Sequence, residues 1–319
     1  MTAENNSQGR NQTLPSFFRR IPGNIYAIAL LLFVFRFTSP EFLNLSNLLN
    51  IVQQGSILTI VSIGSFLAIV SHGIDLSLGA IVGLAGVVAA LAMNAGLGIG
   101  PACLLALLAG AIFGAVNGFV IARTYINPFI VTLGMMGIGE GLALVLAKGS
   151  TVSAGNPVFK LIGGGNLGLL PVAALIAICC YLIFRFVLKR TALGTHIYAI
   201  GGNEEAAILS GINAHRIKLV VYSFNGLLAG LAGIVMASRL GAANPSQGIG
   251  IEFDGIAAAV VGGASLAGGR GSIWGTLGGA VIIAILRNGL NMAGLPMALQ
   301  MVILGLIIMA IVTIDSLRN

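Results

Sequence analysis

What most constrains this chain is a succession of apolar stretches, each nearly free of charge and separated by short glycine-rich joins. They cover roughly residues 24–37, 48–71, 78–93, 102–123, 128–147, 169–188, 219–238, 254–267, 273–290 and 295–314. Only 8% of the 319 residues are charged and 57% are hydrophobic, whereas a soluble domain carries roughly 25% charged residues. A bilayer span needs ~20 apolar residues. The pattern therefore reads as an all-α polytopic membrane protein with about ten transmembrane helices. Runs two and eight could be broken or re-entrant, which keeps a range of eight to ten open.

Orientation follows from the basic residues. With ten spans and both the N-terminus and the C-terminus cytoplasmic, Arg10, Arg19, Arg20, Arg123, Arg185, Lys189, Arg190, Arg216, Lys218, Arg270 and Arg318 fall on or near the inner side. Arg36, Lys148, Lys160, Arg239 and Arg287 fall near the outer side, eleven against five, as the positive-inside rule requires. The expected organisation is a polar cytoplasmic tail (1–21), a single membrane domain (22–315) and a short cytoplasmic tail (316–319). A cytoplasmic loop spans 189–218, and outer polar segments span 148–168 and 240–253. The polar start lacks the apolar core of a cleaved signal peptide, so none is expected.

The longest charge-bearing break between apolar runs contains residues 194–211, GTHIYAIGGNEEAAILSG. Asn203 is a good N-cap, since its side chain can accept a bond from an orphan N–H of the first turn. Glu204 and Glu205 then occupy the first turn, where the helix dipole favours negative charge. Ala206, Ala207, Ile208 and Leu209 continue the helix, and Gly211 suits the left-handed residue that closes it. The stretch is one short capped helix, either an ordinary interfacial helix or a docking element.

Motifs for chemistry are missing. Residues 263–272, GASLAGGRGS, imitate a phosphate loop, but Arg270 replaces the lysine, no metal-binding hydroxyl is adjacent, and a membrane span surrounds it. Residues 163–168 fit G-x-G-x-x-G but lie between spans. No H-E-x-x-H, G-x-S-x-G or paired Cys/His set occurs, so no catalytic or metal site is expected. Cys103, Cys179 and Cys180 lie in apolar runs and read as packing residues. The net charge of +7 belongs to loops rather than to a nucleic-acid surface. Glycines four apart (Gly79/Gly83, Gly110/Gly114/Gly118, Gly137/Gly141, Gly226/Gly230, Gly275/Gly279) point to close helix packing.

Polar groups within lipid cost several kcal/mol and usually face a partner or cavity. Asp75, Glu140, Asp254 and Arg287 fit that description, with Asn117, Asn127, Asn225, Asn288, Asn291 and Gln300. Asp75 and Asp254 stand at span entrances, where N-capping is the competing role. Glu140 sits mid-run with no evident partner. Amide side chains suit a path for a neutral polyol better than one for an ion.

Glu205-Ala206-Ala207 followed by Gly211 resembles the E-A-A-x-x-x-G signature of bacterial ABC-importer permeases, although the later I-x-L-P half is absent, with Val221, Ser223 and Phe224 in its place. Gly73-Ile74-Asp75-Leu76-Ser77-Leu78-Gly79, Pro128-Phe129-Ile130-Val131-Thr132-Leu133-Gly134, Tyr198-Ala199-Ile200-Gly201-Gly202-Asn203, Ser210-Gly211-Ile212-Asn213 and Phe253-Asp254-Gly255-Ile256-Ala257-Ala258 resemble the ribose/xylose-type monosaccharide permeases, nearest to the ribose branch. The block Gly262-Gly263-Ala264-Ser265-Leu266-Ala267-Gly268-Gly269 does so too. Glu140 departs from that pattern, where relatives often carry arginine.

The resemblance implies a permease of the bacterial inner (plasma) membrane that translocates a ribose-like monosaccharide. It implies a homodimer, or a heterodimer with a close paralogue, with the path between the copies. Asp75, Asn127, Phe129, Glu140, Asn225, Asp254 and Asn288 are the candidates to line that path. A cytoplasmic ATPase with tandem nucleotide-binding domains would use ATP and Mg. It would dock at Gly194, Asn203, Glu204, Glu205, Ala206, Ala207 and Gly211, while this chain binds no cofactor. A periplasmic sugar-binding protein would dock on the two outer segments. The alternative is an ATP-independent secondary transporter or channel for a small polar solute, which predicts an inverted repeat with broken helices; no clear repeat relates the halves.

Overall fold

A computed structural model describes residues 23–124 and 126–318. The expected 1–21 tail, with Arg10, Arg19 and Arg20, lies outside the described residues. Among the described residues the helices run α1 (Gly23–Thr38), α2 (Leu45–Val70), α3 (Leu78–Asn94), α4 (Ile99–Thr124), α5 (Pro128–Leu146), α6 (Pro157–Gly164), α7 (Val172–Arg190) and α8 (Ala192–Gly202). Then follow α9 (Glu204–Leu209), α10 (Ala214–Leu240), α11 (Ile251–Val261), α12 (Ile273–Met292) and α13 (Met297–Arg318). Four two-residue strands pair as β1 (Val152–Ser153) with β4 (Ala242–Ala243) and β2 (Asn166–Leu167) with β3 (Leu170–Pro171), both antiparallel.

Among the described residues six helices, α2, α4, α5, α7, α10 and α12, are long and apolar enough to cross a bilayer, and shorter apolar helical segments cover Asn24–Thr38, Leu78–Asn94 and Ala298–Ile307. Run two is an unbroken helix of 26 residues. Run eight is different. Helix α11 has only 11 residues, about 16 Å of a hydrocarbon core near 30 Å. The expected 254–267 span gives way at Gly262 to a glycine-rich loop, because Gly263, Gly268, Gly269 and Gly271 all take positive φ. Helix α13 continues through Arg318, so the expected 316–319 tail is helical to that point.

Helix α10 is the hub, packed against α4, α3 and α2 and, near its C-terminal end, α6. Glycine makes the α4–α10 contact possible. A Cβ on Gly114 would strike the Tyr222 carbonyl, and one on Gly226 would strike that of Gly110. Helix α5 is the exception to the expected glycine packing. A Cβ on Gly134, Gly137 or Gly141 would meet nothing within 4 Å, because that face of α5 turns outward.

The two ends of the bundle are distinct. At one end, Gly269 N donates to Val70 O at 2.9 Å, Tyr198 Oη to Gly271 O at 3.1 Å and Asn24 Nδ2 to Gly275 O at 3.2 Å. These bonds gather α8, the ends of α1 and α2, and the loop before α12. At the other end the two polar segments meet: β1 pairs with β4, and Asn244 Nδ2 donates to Thr151 Oγ1 at 3.2 Å. Ser238 Oγ, at the end of α10, donates to Phe159 O at 2.5 Å and anchors α6 there.

Candidate functional site at the α8–α9 end

The stretch expected as one short helix is two. Thr191 is extended and caps α8. Gly194 stands so close to the end of α7 that a Cβ would strike the Leu188 carbonyl. Asn203 ends α8 and starts α9: its N–H donates to Ala199 O at 3.0 Å, and its side-chain oxygen accepts from Ala206 N at 2.9 Å. The expected cap is therefore present, with Glu204 and Glu205 in the first turn. Ile212 N donates to Ala207 O and Gly211 N to Ile208 O, with Gly211 at φ +87. This double closure is a Schellman motif.

The two glutamates differ. Glu204 accepts from Lys218 Nζ at 2.6 and 2.8 Å, tying α9 to α10. Glu205 is exposed, Ala207 is buried, and the apolar Ile208 and Leu209 stand out, Leu209 at 89% exposure. A sequence reading centred on charge missed Ile208 and Leu209. The available signal was length: a six-residue helix buries one face, and burying Ala207 turns its neighbours outward.

Beside α9 lies a cleft of about 680 Å³ whose lining includes His72, Asn127, Glu204, Glu205 and Lys218. Asn127 thus belongs to this end, where its side chain caps α5 by accepting from Phe129 N at 3.0 Å; Phe129 itself is exposed. Gly201 presses on the end of α2, since a Cβ there would strike the Val70 carbonyl.

From Val70 the chain passes into a buried polar cluster. Asp75 accepts from Ser77 N at 3.0 Å, Ser77 Oγ at 2.6 Å and Asn225 Nδ2 at 3.1 Å. Asn117 Nδ2 donates to Ser77 Oγ at 2.8 Å, and Thr132 Oγ1 to Ile74 O at 3.1 Å. The α2–α3 link is thereby lashed to α4, α5 and α10. Asp75 works as a turn-former two residues ahead of the Ser77 cap position rather than as the cap itself.

The remaining path candidates lie apart. Asp254 sits inside the first turn of α11 and accepts from Arg287 Nη2 at 2.7 Å, so it is an ion-pair partner and not a cap. Asn288 and Asn47 exchange amide bonds at 3.0 Å. Glu140 is half-buried on α5, within electrostatic reach of Glu252. Among the described residues no group of three His, Cys, Asp or Glu could hold a metal ion.

Residues 47–312 match the family described as branched-chain amino acid transport system / permease component. The chain is 41% identical to the ribose import permease protein RbsC of Escherichia coli (strain K12) over 300 residues, 93% of this chain and 94% of the relative. It is 39% identical to RbsC of Bacillus subtilis (strain 168) over 299 residues, 93% of each. It is 38% identical to the D-allose transport system permease protein AlsC of Escherichia coli (strain K12) over 297 residues, 92% of this chain and 91% of the relative. No solved structure gives a significant match.

Proposed function

The chain belongs to this family of transport-system permease components, a multi-pass membrane protein, and on that premise we propose that it carries a monosaccharide inward across a bacterial inner membrane as the transmembrane subunit of an ABC importer. The observation that carries the coupling part is the capped α9 helix, with Glu205, Ile208 and Leu209 turned outward at one end of the bundle. In this reading that end is cytoplasmic, and α8 and α9 are the contact for a separate ATPase that supplies ATP and Mg chemistry. Gly194 and Gly211 shape the element, Asn203 starts α9, and Ala206 and Ala207 set its exposed and buried faces.

Two copies, or this chain and a close paralogue, would enclose the path, and the outward glycine face of α5 is consistent with such a neighbour. Asp75 and Asn225 then act as a buried brace beside the path. Asn127 and Phe129 stand at its cytoplasmic end, and Glu140, Asp254 and Asn288 lie further along. The paired outer segments, brought together by β1 and β4, offer the platform for a sugar-binding protein. A ribose-like sugar is the favoured substrate, from the likeness to ribose, D-allose and L-arabinose permeases.

The test is reconstitution in liposomes with a cognate ATPase and sugar-binding protein. The expected result is sugar uptake that needs ATP and all three components. Sugar equilibration by the purified chain alone would instead establish an ATP-independent transporter or channel.

A further inference from the structure

Another cavity lies away from the α8–α9 end. Between α2, α10, α11 and α12 lies a pocket of about 230 Å³. It sits in the opposite half of the bundle: Gln54 is far from the Val70 end of α2, and Arg239 is next to last in α10. Pockets for drug-sized ligands measure roughly 300–1,000 Å³, so this one admits something smaller.

Its wall combines apolar surface, such as Met236, with Gln54, Arg239, Gln247, Asp254 and Arg287. The polar groups are held in place. Arg287 is fixed by Asp254 at 2.7 Å, and Arg239 donates to Asn50 Oδ1 at 2.5 Å and Gln53 Oε1 at 3.4 Å. Asp254 neutralises Arg287, and Arg239 remains as one charged donor on the wall. Fixed donors and acceptors beside an apolar wall suit a ring bearing several hydroxyls.

We propose that this pocket holds a single neutral sugar ring within one copy of the chain, as a way-station during transport. The inference rests on the sugar-importer reading above. It is tested in the permease assembled with its ATPase, with Cys103, Cys179 and Cys180 replaced by serine and Gln54→Cys introduced. The rate of N-ethylmaleimide labelling is measured with and without D-ribose, D-allose or L-arabinose, and import is assayed after the binding protein is added.

Labelling should slow about tenfold when an imported sugar exceeds its dissociation constant by about tenfold. A Leu167→Cys control, exposed and outside the pocket lining, should be unaffected. Arg239→Gln should raise the KM for import about tenfold, the effect of losing a charged hydrogen bond. If Gln54→Cys fails to assemble, Ile249→Cys at the exposed rim gives the same reading. Import with no slowing by any of the three sugars overturns the pocket and leaves the importer standing. Slowing by an anionic phospholipid but by no sugar also overturns it. Import of no sugar overturns the importer reading, and the pocket with it.

Discussion

The α-carbon of Gly201 lies against the carbonyl oxygen of Val70, which also accepts the Gly269 N–H at 2.9 Å. Three elements therefore meet there with no side chain between them: the last turn of α8, the end of α2 and the loop before α12. Close-packed protein transmits displacement because it compresses little. A push on α9 reaches α2 through this junction, and from α2 the chain enters the Asp75 cluster that braces α10.

Gly201→Ala should break that transmission. Overpacking of this kind costs roughly 1–3 kcal/mol, and sugar uptake per assembled transporter should fall about tenfold. Gly202→Ala, where a Cβ meets nothing within 4 Å, should leave uptake near wild type. Equal uptake by both variants would remove the junction from the account.

The Asp75–Asn225 bond joins residues 150 apart in sequence, and both side chains are buried. Asp75→Ala strands the donors of Ser77 and Asn225, and Asn225→Ala strips a donor from a buried carboxylate. Each should destabilise the purified protein by about 2–4 kcal/mol. The double variant should lose clearly less than the sum, since the two groups form one interaction. Additive losses in thermal unfolding would show that the pair is not coupled.

Glycine substitutions should sort by helix. Gly226→Ala forces α10 off α4 and should lower the unfolding temperature by several degrees, a loss of roughly 1–3 kcal/mol. Gly137→Ala on the outward face of α5 should leave the unfolding temperature of the single chain unchanged. A similar fall in both would contradict the glycine-dependent α4–α10 packing.

Local features were legible in the sequence and distant pairings were not. Asn203, Glu204, Glu205 and Gly211 announce a capped helix because capping depends on residues within one turn. Helix α8 escaped notice because Gly194, Gly201 and Gly202 weaken helix propensity; close approach to Leu188 and Val70 selects those first two glycines. The partners Lys218, Asn225 and Arg287 were visible only as polar residues, since pairing across 14, 150 and 33 positions depends on the packed bundle. The apolar run at α11 fits a span or a re-entrant segment equally, because apolar composition alone cannot separate a bilayer crossing from a buried segment. Glycine spacing likewise could not say that α5 turns Gly134, Gly137 and Gly141 outward.

The most direct measurement is co-purification of the ATPase with Glu205→Arg, beside wild type and Glu204→Gln. Glu204→Gln removes only a partly exposed pair with Lys218, worth about 0–1 kcal/mol, and should retain the ATPase. Glu205→Arg opposes the helix dipole and reverses the charge presented to the partner. Most of the bound ATPase, and ATP-driven uptake, should be lost from a protein that remains folded. Undiminished association and uptake with Glu205→Arg would contradict the assignment of α9 as the coupling contact.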